Sequence, residues 1–154
     1  MELLRKVSEF CMSTNDRLHI YKTYVRSVVK QSAVLWHSSL TTENTLALER
    51  VQRVAVKIIL DGKYSYKESL NMLNIPTLKA RRESLTVRFA NNCLKNEKSR
   101  NMFKLNTTRL TMKLRHKQKY KEIRSTTSRL YNSALPYMTR ILNKQNKEKD
   151  KFLK

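Results

Sequence analysis

Apolar positions in the first sixty residues fall into two runs at helical spacing. Leu18, Tyr21, Tyr24, Val25, Val28 and Val29 recur at three- and four-residue steps, and Ala47, Leu48, Val51, Val54, Ala55, Ile58 and Ile59 do the same. That spacing gathers each set on one face of a helix. The runs predict helices over about 16–36 and 42–60, and the short connector Trp36-His37-Ser38-Ser39-Leu40 predicts an antiparallel hairpin. Trp36, the one tryptophan, is expected to fill the elbow as a core residue.

Polar residues punctuate these runs where helix ends are needed. Ser13-Thr14-Asn15-Asp16 offers N-caps to the first helix, Thr41 or Thr42 to the second, and Asp61-Gly62 a stop. Ser65 and Glu68 have the spacing of a capping box, which opens a helix over 66–73 with Leu70 and Leu73 inward. Asn74-Ile75-Pro76 ends it, and Thr77 caps a further helix over 78–95 with Leu78, Leu85, Phe89 and Cys93 inward. Upstream, Leu3, Leu4, Val7 and Phe10 mark the end of a helix that begins as though cut from something longer. No stretch alternates as a half-buried strand does. The expected class is all-α, with a helical core over 1–105.

Beyond Asn96 the apolar recurrence fades. Residues 106–131 read as a basic, extended or mobile segment, 132–143 as a docking helix, and 144–154 as a disordered tail. Within the docking helix, Ser133 caps residues 134–142, whose stripe is Leu135, Met138, Ile141 and Leu142.

Charge changes the picture most. Lys and Arg number 33 against 12 Asp and Glu, a formal net charge of +21. Residues 106–154 hold 14 of those cations and three acids, a net +11. A chain this basic repels itself and calls for a polyanionic partner, nucleic acid first and an anionic membrane a distant second. The cations expected to meet phosphate are Arg81, Arg82, Arg88, Lys95, Lys98, Arg100, Arg109, Lys113, Arg115, Lys117, Lys119, Lys121, Arg124 and Arg129. Tyr120 is placed with them, and Phe103 and Tyr131 are interleaved as candidates for stacking on bases.

Other chemistry finds little support. A single glycine, Gly62, leaves no phosphate-cradling loop of the G-x-x-x-x-G-K-[ST] or G-x-G-x-x-G kind. Cys11 and Cys93 lack zinc-ligand spacing, so no metal or cofactor is expected, and their scarcity points to a reducing, intracellular setting in nucleus or cytoplasm. Asp16, Asp61 and Asp150 have no paired neighbour of the kind two-metal polymerase chemistry requires, and His19, His37 and His116 are scattered. No catalytic residue and no small-molecule substrate is therefore assigned. No apolar run reaches the length of a membrane span.

Short words of the sequence resemble a known family. They begin with Ile20-Tyr21-Lys22, Tyr24-Val25-Arg26-Ser27-Val28, Trp36-His37-Ser38-Ser39-Leu40, Leu48-Glu49-Arg50-Val51-Gln52-Arg53 and Ile58-Ile59-Leu60. They continue with Tyr64-Ser65-Tyr66-Lys67-Glu68-Ser69-Leu70, Leu78-Lys79-Ala80-Arg81-Arg82-Glu83-Ser84-Leu85, Phe89-Ala90, Asn132-Ser133-Ala134-Leu135-Pro136-Tyr137 and Leu142-Asn143. In this order, over almost the whole chain, they resemble the region after the catalytic core in non-LTR (LINE-type, jockey-like) retrotransposon polyproteins. At Lys30-Gln31-Ser32-Ala33-Val34-Leu35 the chain departs from that pattern. The resemblance implies an endonuclease and a reverse transcriptase upstream, and a non-catalytic helical part downstream of the thumb. That part would help hold template RNA and target DNA during target-primed reverse transcription. The alternatives are a structural module whose Leu135/Met138/Ile141/Leu142 stripe docks on the reverse transcriptase core, or a degenerate fragment without a function of its own.

Overall fold

A computed structural model describes residues 2–10, 12–107 and 118–152. The fold is all-α: α1 (Glu2–Glu9), α2 (Thr14–Ile20), a π-helical turn (Tyr21–Val25), α3 (Arg26–Lys30), α4 (Ala33–Trp36) and a 3-10 turn (His37–Ser39) come first. Then follow α5 (Thr42–Ile59), α6 (Tyr66–Met72), α7 (Leu78–Lys95), α8 (Glu97–Arg100), α9 (Ser128–Tyr131) and α10 (Ala134–Phe152). The chain forms two compact units, the first from 1–33 and 40–82, the second from 34–39 and 83–154. The division falls inside the 1–105 stretch that the sequence reads as one core.

Helix ends lie where cap chemistry places them. Ser13 accepts from the Asp16 N–H and Thr41 from the Asn44 N–H. The Ser65 hydroxyl takes the Glu68 N–H while the Glu68 carboxylate takes the Ser65 N–H, a complete capping box. That pairing holds the Glu68 carboxyl below its ordinary value. Gly62, at φ 70°, donates its N–H to the Lys57 carbonyl over 2.8 Å and closes α5.

In the first unit Leu4, Leu18, Tyr21, Ala55, Val56, Ile59, Leu70 and Ile75 pack together. Gln52 stands among them at 0% exposure. It accepts from the Tyr21 hydroxyl (2.9 Å) and donates to the Pro76 carbonyl (3.0 Å) and the Tyr66 oxygen (3.3 Å). The Tyr66 hydroxyl donates to Glu49, which also receives the Leu78 N–H at 3.3 Å. Burial pushes the Tyr21 hydroxyl up to about 12 and raises Tyr66 further, with Glu49 adding to the rise of both.

The second unit is built on Ala90, Cys93, Phe103, Tyr120, Met138 and Leu142. Residues 34–39 join it through the His37 ring, edge-on to Tyr137 at 5.9 Å, and through the Ser39 hydroxyl, which donates to the Asn132 carbonyl at 3.0 Å. Burial raises the Cys93 thiol pKa.

Several expectations need correction. The helix expected over 16–36 is broken: Gln31 turns extended (ψ 126°) and Ser32 takes φ 52°. The π-helical turn inserts one residue's worth of rotation, so Tyr24 and Val28 face solvent while Val25 packs on the core. Along α5 the buried positions are Gln52, Ala55, Val56 and Ile59, and Ala47 is exposed, so the inward face is rotated from the apolar stripe. Trp36 is half-buried at the end of α4 and lies outside both buried clusters. Phe89 is exposed, because α7 buries Arg82, Thr86, Ala90 and Cys93 instead.

The last helix runs to Phe152, well past the expected 134–142, and takes in most of the expected tail. Lys, Gln and Glu are good helix formers, and no Gly or Pro interrupts them after Pro136, which stands in the first turn where its missing N–H is harmless. Leu135, Met138 and Leu142 pack into the second unit's own core, so much of the stripe expected to dock elsewhere is already covered.

Candidate nucleic-acid interface

The basic segment is anchored at Asn106 and around Tyr120. Leu105 and Tyr120 form an antiparallel bridge in which Asn106 donates to the Lys119 carbonyl (3.0 Å) and Lys121 to the Lys104 carbonyl (2.8 Å). The Asn143 side chain completes the anchorage. Its Oδ1 accepts the Tyr120 N–H (2.9 Å) and its Nδ2 donates to the Tyr120 carbonyl (3.0 Å), as a neighbouring strand would. The Tyr120 ring enters the core, 7% exposed, edge-on to Phe103 at 6.3 Å.

This geometry turns the flanking cations outward. Lys119 and Lys121 are exposed on either side of Tyr120, and Lys104 lies opposite Lys121 across the bridge. The Lys119 ammonium lies 5.8 Å from the Tyr120 ring centre. Burial raises the Tyr120 pKa, and the nearby Arg100 charge opposes that rise. Arg100, Lys104, Lys119 and Lys121 are thus gathered about one anchored residue. Like charges placed opposite each other repel by a few tenths to ~1 kcal/mol. Among the described residues none of these four forms an ion pair. Glu122, the next acid along the chain, is exposed and accepts from Gln118 at 2.9 Å.

The other expected cations divide. Arg88, Lys95, Lys98, Arg124 and Arg129 are exposed in the second unit. Arg81 is half-buried and Arg82 only 1% exposed, both in the first unit, so Arg82 is not on a phosphate-facing strip. Its place follows from α7's inward positions, which lie four residues apart at Leu78, Arg82, Thr86 and Ala90. Arg109, Lys113, Arg115 and Lys117 lie outside the described residues.

Two of the three aromatic candidates are buried and the third has a cation over its ring. Phe103 and Tyr120 are core residues. Tyr131 is half exposed, but the Arg140 guanidinium covers its ring at 3.7 Å and donates to its carbonyl at 2.8 Å. Lys104 and Arg140 were not singled out in the sequence. Lys104 is one cation among many, and only the bridge shows its place. In the first unit, Arg53, Lys57, Gly62, Tyr64 and Tyr66 line a cleft of about 300 Å³, with Arg53 over the Tyr66 ring at 5.2 Å.

Among the described residues no three His, Cys, Asp or Glu side chains converge as a metal would require. No helix there is long and apolar enough to cross a membrane. No protein-family model, curated protein or solved structure matches this chain.

Proposed function

We propose that this chain is a non-catalytic, nucleic-acid-binding part of a LINE-type reverse transcriptase polyprotein, holding template RNA or target DNA by its phosphates inside the cell. The observation that carries the reading is the group Arg100, Lys104, Lys119 and Lys121, exposed and without ion pairs among the described residues around the buried Tyr120. A phosphate chain relieves the repulsion within this group and releases its own condensed counterions on contact. The ordered resemblance supports the proposed parentage. A module that docks on the polymerase core through the Leu135 stripe is the weaker reading, since Met138 and Leu142 are already buried.

The test is binding to a single-stranded RNA across a salt series. If about five phosphates are neutralised, the logarithmic slope is roughly −3.5, and affinity falls about 100-fold between about 50 and 200 mM salt. Charge reversal at Lys104, Lys119 and Lys121 should weaken binding and flatten the slope with helicity unchanged. An affinity indifferent to salt would reject the reading.

A further inference from the structure

The cleft in the first unit is lined by cations and phenol rings, and no carboxylate is among its lining residues. Its volume of about 300 Å³ stands at the lower end of the range for small-molecule sites. Arg53 and Lys57 lie one turn apart on α5, both exposed, so they are neighbours on one helix face. The Lys57 stem runs over Gly62, where a Cβ would stand 3.4 Å from Lys57 Cε. Tyr64 and Tyr66 complete the lining, and the chain that carries them is fixed on both sides. Gly62 donates to the Lys57 carbonyl at 2.8 Å, and the capping box of Ser65 and Glu68 opens α6.

The acids around the cleft are engaged elsewhere. Glu49, one turn before Arg53, takes the Tyr66 hydroxyl and the Leu78 N–H. Asp61 pairs with Arg17, and Glu68 holds the Ser65 N–H. Among the described residues neither Arg53 nor Lys57 forms an ion pair. Two open cations beside each other suit a phosphate, the guanidinium as a fork and the ammonium as a point charge.

The rings narrow the ligand further. Tyr66 has the Arg53 guanidinium 5.2 Å from its ring centre, and its hydroxyl is given to Glu49. Tyr64 is 47% exposed, and among the described residues no ring or cation covers it. A bare phosphate would leave that ring idle, and an uncharged flat ligand would leave the cations idle. A base joined to a phosphate answers both.

We propose that this cleft takes one nucleotide, its base against Tyr64 and its phosphate on Arg53 and Lys57. The site rests on first-unit residues alone, and the cations around Tyr120 play no part in it.

The experiment is calorimetric titration of the full chain with adenosine monophosphate, set against adenosine and inorganic phosphate separately. The monophosphate should bind about tenfold or more tightly than either of its halves. R53Q/K57Q should weaken it about tenfold or more, and Y64A about tenfold, whereas Y64F should keep it because stacking needs the ring and not the hydroxyl. Tyr64 is exposed, so Y64A reads the site even if R53Q/K57Q disturbs Tyr66. K119Q/K121Q, which removes the same charge from the second unit, should leave the titration unchanged. The proposal is overturned by a monophosphate that binds no better than phosphate, by affinity that survives both Y64A and R53Q/K57Q, or by a loss confined to K119Q/K121Q. A second arm measures single-stranded oligonucleotide binding. If Y64A weakens it in step with the monophosphate, the nucleotide is a unit of a strand; if only the monophosphate suffers, it is a free nucleotide. Salt-dependent oligonucleotide binding without any monophosphate binding would remove this site and leave the nucleic-acid reading. Monophosphate binding without oligonucleotide binding would do the reverse.

Discussion

The two units divide the chain almost evenly and the charge unevenly. Residues 1–33 and 40–82 hold 14 cations and seven acids, a net +7; residues 34–39 and 83–154 hold 19 cations and five acids, a net +14. In the first unit the acids are put to work: Asp61 pairs with Arg17 at 2.9 Å, Glu68 closes a capping box, and Glu49 ends a buried polar chain. In the second, a mostly apolar core carries exposed cations with few acids to answer them. One unit puts several of its acids into its own fold; the other carries exposed cations that form no ion pair among the described residues.

Substitutions in the two cores should give the largest effects. Ile59→Ala in the first unit and Leu142→Ala in the second should each cost about 2–5 kcal/mol by denaturant unfolding. Trp36 belongs to the second unit, so its fluorescence is the natural probe for Leu142→Ala. Next come the two buried amides. Gln52→Ala strands the Tyr21 hydroxyl and the Pro76 carbonyl, and Asn143→Ala strands both backbone groups of Tyr120. Each should cost roughly 2–3 kcal/mol. Asn143→Ala should also lower RNA affinity, because it loosens the anchor between Lys119 and Lys121. Loss of stability with undiminished affinity would separate the anchor from the interface.

The polar chain gives the first unit an alkaline weakness. An unfolded tyrosine ionises near pH 10, whereas Tyr21 in the fold does so only at about 12. Its folded pKa is raised, so its contribution is whole below pH 10 and is lost as pH rises through 12. Unfolding followed from pH 9 to 12 should show this decline, and Tyr21→Phe should make it shallower. Ser65→Ala, which removes one half of the capping box, should cost about 1 kcal/mol. Smallest of all, K119Q/K121Q should move stability by no more than about 0.5 kcal/mol. A larger shift would mean these lysines support the fold after all.

What could be read in the sequence follows from the kind of signal each feature leaves. Local chemistry was legible: Ser65 and Glu68 cap as spaced, Asp61-Gly62 closes α5, and α7 spans Leu78–Lys95 as expected. Faces were less so. One π-helical turn is enough to swing Tyr24 and Val28 out, and no residue type announces it. Gln52, Arg82, Thr86 and Asn143 are buried, yet a pattern drawn from apolar residues passes over them. The break at Gln31-Ser32 falls within the stretch that departs from the family words. Of the cationic site, the composition was plain, but the grouping of Arg100 and Lys104 with Lys119 and Lys121 depends on a bridge between distant segments.

The grip of Asn143 on Tyr120 also sets the phase of the lysines around it. Sliding the strand by a single step in either direction would thrust Lys119 or Lys121 among Phe103, Met138 and Leu142, where an ammonium has no water. The phenol ring thus works as an index pin, allowing one alignment and keeping every neighbouring positive charge pointed away from the oil.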